Sequence, residues 1–141
     1  YKLVGKRLLN ESRTALSRIM HLAYAYRIEG KYTYLTQAEK DIRAAANFPN
    51  WNPTHYLDVG EMALAVAIGL DWLYDDLQPE TRQMARNALE NFAFKTATNT
   101  SYNGFLNSDT NWNQVCNGGL VLAALATYEG QISRNYRAKL Q

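Results

Sequence analysis

Apolar positions recur at three- and four-residue spacing over most of the chain, the periodicity of helices that bury one face. Leu8, Leu9, Ser12, Ala15, Leu16, Ile19, Met20, Ala23 and Tyr26 predict a first helix over about 5–28, with Gly30 as its stop. Ala38, Ile42, Ala45 and Ala46 predict a second over about 35–47, a small-residue face suited to close packing. Thr36 and Glu39 have the spacing of a capping box at its start. The preceding stretch, Lys31 to Thr36, alternates weakly and reads as a linker. The third helix is the clearest, over about 58–77. Asp58 is placed to cap it, Glu61 completes the box, and Met62, Ala65, Val66, Gly69, Leu70 and Leu73 face inward. Pro79 opens a fourth, which Met84, Ala88, Leu89 and Phe92 carry to about Lys95. A fifth spans about 115–128 and ends at Gly130, and a sixth begins at Ile132. Gly118 and Gly119 lie inside the fifth. Paired glycines weaken a helix and make sense where another backbone or a ligand comes close.

No segment gives a convincing strand signal, so the chain reads as all-α. Two connectors, about 48–57 and 96–112, are long for a compact domain, and long loops are often functional. Successive helices with long aromatic loops at one end predict an incomplete (α/α) toroid or solenoid built of sequential helical hairpins. The 141 residues make about one domain. The start at Tyr1 and the stop at Gln141 in a helical pattern give the expectation of a piece of a larger protein.

Charge and composition remove several classes of function. Fifteen basic against thirteen acidic residues give a net charge of +2, with no basic block, which disfavours a nucleic-acid partner held by phosphate contacts. The longest apolar run, Met62 to Leu70, is too short to span a membrane. The single cysteine, Cys116, excludes an internal disulfide and reads as a buried thiol. His21 and His55 are the only histidines and lack the spacing of metal ligands, and no phosphate loop or dinucleotide fingerprint is present, so neither metal nor cofactor is expected. Ten tyrosines and three tryptophans are a large aromatic complement, and aromatic faces suit sugar rings.

The segment from Thr110 to Leu120 stands apart. Asn111, Asn113, Gln114 and Asn117 gather with Trp112 where a helix starts. Free N–H groups and the positive end of the dipole collect there, and carboxamides add neutral donors. Together they could hold a substrate carboxylate and stabilise an enolate-like transition state. Equally, Asn111 or Asn113 could cap the helix while Trp112 packs on the core. In the first long connector Trp51 is either a stacking platform for a sugar or a packing residue, and His55 and Tyr56 are placed to line a cleft. Glu61 and Asp71 lie ten residues apart and give no pair of the kind a glycoside hydrolase needs.

The run Asn111-Trp112-Asn113-Gln114-Val115-Cys116-Asn117-Gly118-Gly119-Leu120, with the Ala-rich stretch after it, resembles the heparinase II/III-like polysaccharide lyases. So does Glu61-Met62-Ala63 through Gly69-Leu70-Asp71-Trp72-Leu73-Tyr74, in the same order and separation. The resemblance covers roughly 1–141. It implies that these residues are part of one (α/α)-toroid domain, with a β-sandwich domain beyond residue 141. It implies β-elimination on an acidic, uronate-containing polysaccharide by a periplasmic or secreted enzyme. Asn111 would then neutralise the substrate carboxylate, with Asn113 and Asn117 as alternates. Trp51, His55, Tyr56, Trp112 and Gln114 would contact the glycan. The base and acid would lie past Gln141, leaving this chain alone without turnover. A toroidal glycoside hydrolase and a non-catalytic carbohydrate-binding or scaffold module are the rival expectations.

Overall fold

The computed structural model describes residues 5–139, and the side chains of 5–128. The elements are α1 (Leu9–Glu29), α2 (Tyr32–Ala46), α3 (Tyr56–Trp72), α4 (Pro79–Ala88), a π-helical turn (Leu89–Phe94), α5 (Lys95–Ala97), a 3-10 turn (Asn103–Asn107) and α6 (Asn111–Lys139). No strand occurs among the described residues, so the fold is all-α. No helix among them is long and apolar enough to cross a membrane.

α3 is the hub. It packs most extensively on α6 and α1 and touches α2, α4 and the π turn as well. A helix enclosed on every side must be apolar all round. Accordingly Val59, Met62, Ala63, Ala65, Val66 and Leu70 are all buried, although they point in different directions. Two glycines let its neighbours in. A Cβ on Gly69 would meet the side chains of Ile42 and Ile19 at 2.7 and 2.8 Å, which is where α2 and α1 close on α3. On the opposite side Gly60 faces Gly119 of α6. A Cβ on Gly119 would lie 2.1 Å from the Gly60 carbonyl oxygen. One of the paired glycines therefore serves a backbone contact, whereas a Cβ on Gly118 would have nothing within 4 Å.

Several elements depart from their sequence pattern. α2 starts at Tyr32, so the stretch read as a linker is its first turn; Tyr32 packs edge-on against Tyr26 of α1, ring centroids 6.3 Å apart. Tertiary packing overrides the weak alternation there. Gly30 does end α1, in the left-handed conformation, its N–H donating to the Tyr26 carbonyl. The fifth and sixth helices are one, because α6 runs through Gly130 to Lys139. Neither capping box forms. Glu39 reaches across to the start of α4, accepting from the Gln78 N–H at 3.0 Å and the Thr81 hydroxyl at 2.6 Å. Glu61 pairs instead with Arg13 of α1, both its oxygens 3.1 Å from Nε.

Candidate functional site

The two long connectors meet at one end of the bundle and enclose an open cleft of about 420 Å³. One wall is Pro53 and Thr54 from the first connector. The other comes from the second, with Ser101, Tyr102, Ser108 and Thr110, and Trp112 from the first turn of α6 closes it. Tyr56 and Phe105 form the floor, their rings stacked at 4.4 Å. The lining thus combines aromatic faces with hydroxyl groups. None of the residues lining it is acidic or basic.

The first connector is held by one buried carboxylate. Asp58 sits in the first turn of α3, fully buried, rather than capping the helix from outside. Its Oδ2 accepts from the Leu8 N–H at 2.6 Å and from Asn52 Nδ2 at 2.7 Å. Its Oδ1 lies 2.6 Å from His55 Nδ1. Its own carbonyl accepts from the buried Ser12 hydroxyl at 2.8 Å. A fully buried carboxylate must find donors within the protein, and here three residues from two segments of the chain supply them. Asn52 takes φ 55°, a left-handed conformation that asparagine tolerates better than other side-chain-bearing residues, and its Nδ2 also bonds the Lys6 carbonyl at 3.0 Å.

His55 is not itself among the residues lining the cleft but adjoins it, between the lining residues Thr54 and Tyr56 and against Trp112, with its ring held by two contacts. Asp58 holds Nδ1, and the Trp112 indole meets the imidazole edge to face, centroids 4.8 Å apart at 82°. This contact joins the two ends of the site, one on the approach to α3 and the other at the start of α6. Sequence reasoning placed both residues at the site but missed Asp58. The signal was the His55–Asp58 spacing, which puts the carboxylate one turn on from the imidazole.

The other expected residues divide. Asn111 is the first residue of α6, exposed, between the cleft-lining Thr110 and Trp112, and its carboxamide makes no hydrogen bond among the described residues. Asn113 is engaged: its Nδ2 donates to the carbonyls of Leu106 at 3.0 Å and Phe105 at 3.3 Å, tying the 3-10 turn to α6. Asn117 donates to the Asn113 carbonyl at 2.8 Å. Gln114 is exposed. Trp51 is a correction. It has no exposed surface, its indole N–H donates to the Ala45 carbonyl at 3.0 Å, and its ring packs edge-on against Phe92. It offers no face to a sugar, because the ring is enclosed in the core between the C-terminal end of α2 and the π turn. Tyr56 presents ring rather than hydroxyl. Its O–H lies 2.8 Å from the Ala93 carbonyl in the π turn and 2.9 Å from Thr96 Oγ1, and burial pushes its pKa up to about 12. A phenol so placed is no proton acceptor near neutral pH.

Cys116 lies on α6 where Gly60 of α3 approaches, fully buried. Burial, with Glu61 nearby, pushes its pKa up to about 12, the reverse of what a nucleophilic thiol needs. Among the described residues no three His, Cys, Asp or Glu side chains come together as a metal site would require. No family model matches the chain, and no curated protein matches it either.

Proposed function

We propose that this chain is the helical part of a periplasmic or secreted polysaccharide lyase that cleaves uronate-containing glycans by β-elimination, part of an (α/α) toroid whose base and acid lie outside these residues. The observation that carries the reading is the cleft between the two long connectors, lined by aromatic rings and hydroxyls, with the exposed, unengaged carboxamide of Asn111 between its lining residues Thr110 and Trp112 at the start of α6. Aromatic and hydroxyl linings suit sugar rings. Elimination requires that charge developing on the uronate carboxyl be stabilised. A carboxamide at the positive end of a helix dipole does this with neutral donors, and here the Asn111 side chain is the free one, since Thr110 accepts from the Trp112 and Asn113 N–H groups. The role stays with Asn111, because the side chains of Asn113 and Asn117 are occupied by backbone carbonyls. Trp112 supplies the aromatic wall that Trp51 does not. A hydrolytic reading would need two carboxylates flanking the bond, and the described lining supplies neither of them, just as it supplies no base or acid for elimination, so the products decide between the two.

Two measurements test this. The chain should bind oligouronates in preference to the same oligosaccharides with their carboxyls reduced; equal binding, or none, overturns the carboxylate reading. The full-length protein should release products with an unsaturated, ultraviolet-absorbing uronate end. Saturated ends alone would place it among hydrolases, and binding without turnover would make it a recognition module.

A further inference from the structure

The bonding around Asp58 dictates the protonation of the residue next to it. An ionised carboxylate only accepts hydrogen bonds. Both oxygens of Asp58 already serve as acceptors, with His55 Nδ1 at 2.6 Å. Nδ1 must therefore carry the proton, and in the neutral ring Nε2 is left as an acceptor. No partner for Nε2 occurs among the described residues. Nor is it sealed in the core, since the only buried side-chain nitrogen or oxygen without a partner there is Arg86 Nη2. The ring cannot turn freely, because Trp112 lies against it at 4.8 Å. A fixed acceptor thus stands beside the aromatic wall of a cleft whose own side chains are largely hydroxyls. We infer that His55, in the tautomer imposed by Asp58, accepts a hydrogen bond from a hydroxyl of the sugar bound against Trp112, with Asp58 as its positioning residue. The inference rests on the reading of the cleft as a glycan site. It adds a contact specific for a hydroxyl donor, distinct from the carboxylate contact of Asn111.

The test uses the whole chain and a defined oligouronate. Long-range ¹H–¹⁵N correlation on the neutral imidazole reads the tautomer directly. With only two histidines, His55 is assigned by its loss in His55→Asn. The wild type should show protonated Nδ1 and bare Nε2. Asp58→Asn should invert this, because the amide N–H₂ would face Nδ1 and make it an acceptor. His55→Asn keeps a donor near Nδ1 for Asp58 but removes the acceptor at Nε2, so it should fold as the wild type does and bind the oligouronate roughly three- to tenfold more weakly, the worth of one net hydrogen bond. His55→Gln, which returns an acceptor oxygen near the Nε2 position, should recover part of that loss. Protonated Nε2 in the wild type, or unchanged affinity in His55→Asn, overturns the inference and leaves the glycan reading standing. Failure of the wild type to bind any oligouronate overturns the glycan reading, and this role with it.

Discussion

Gly118 and Gly119 are neighbours on one helix, yet replacing each by alanine should move stability in opposite directions. At Gly118 a Cβ meets nothing within 4 Å, so only helix propensity changes, and alanine is better than glycine by roughly 0.8–1.0 kcal/mol. Gly118→Ala should therefore stabilise the protein by up to about 1 kcal/mol. At Gly119 the new Cβ would lie 2.1 Å from the Gly60 carbonyl oxygen and 2.8 Å from its carbon. The obstacle is main chain, not a flexible side chain, so α3 and α6 must part by roughly an ångström to restore contact distance. Overpacking of this kind costs about 1–3 kcal/mol and sometimes more, against which the propensity gain is a partial offset. We expect a net loss of about 2 kcal/mol for Gly119→Ala, and a gap of about 3 kcal/mol between the two variants, read as urea midpoints at constant slope. The same parting would draw Trp112 away from His55, because these residues lie near the starts of the two helices that Gly60 and Gly119 hold together. Tryptophan fluorescence should change in Gly119→Ala and stay as in the wild type in Gly118→Ala. Equal effects of the two substitutions, or a Gly119→Ala protein as stable as its parent, would refute the close α3–α6 crossing.

Three further outcomes follow from the same geometry. Trp51→Phe, which loses the N–H bond to Ala45 and part of a buried ring, should cost about 1–3 kcal/mol of stability in a denaturant titration and leave oligouronate affinity unchanged. Asn111→Ala should change stability by less than about 0.5 kcal/mol, the side chain being exposed and unbonded. Where the proposed elimination is assayed, it should lower the rate by the equivalent of about 2.7–4 kcal/mol, as removal of an oxyanion donor does. Tyr56 and Cys116 both have pKa values raised by burial to about 12, from 10.0 and 9.0. Folding thus favours their neutral forms, so their contribution is complete below about pH 9 and is lost as pH rises toward 12. Urea midpoints should fall across that window, less steeply in Cys116→Ala, and iodoacetamide should label the native thiol at neutral pH only as fast as the protein unfolds.

Helices were legible wherever burial is one-sided or complete, because spacing reports burial. The apolar run of α3 identified the central helix, and the two polar, aromatic connectors were legible as the ends that could form a site. Boundaries and caps were less so. Ser, Thr, Asp and Glu at capping spacing are equally suited to partners across the fold. Asp58 illustrates the difference: its carboxylate accepts from Leu8, fifty residues earlier, and from Asn52 and His55, so the residue read as a local cap binds together separate segments. Trp51 was ambiguous for a related reason. An indole in a loop is equally plausible on a surface or in a core until its partners, the Ala45 carbonyl and the Phe92 ring, are placed.

The glycines connect the fold to the site more directly than any of the candidate side chains. His55, Tyr56 and Asp58 belong to the start of α3, and Asn111 and Trp112 to the start of α6; no residue is shared between the two groups. What sets their separation is how closely the two helices cross, and that is fixed at Gly60 and Gly119, where the backbones touch. Larger side chains there would move apart the His55 imidazole and the Trp112 indole, and with them the opposite walls of the cleft. Gly119 and the first turn of α6 are therefore parts of one arrangement: the glycine sets the distance at which that turn, with Asn111 and Trp112, faces the start of α3.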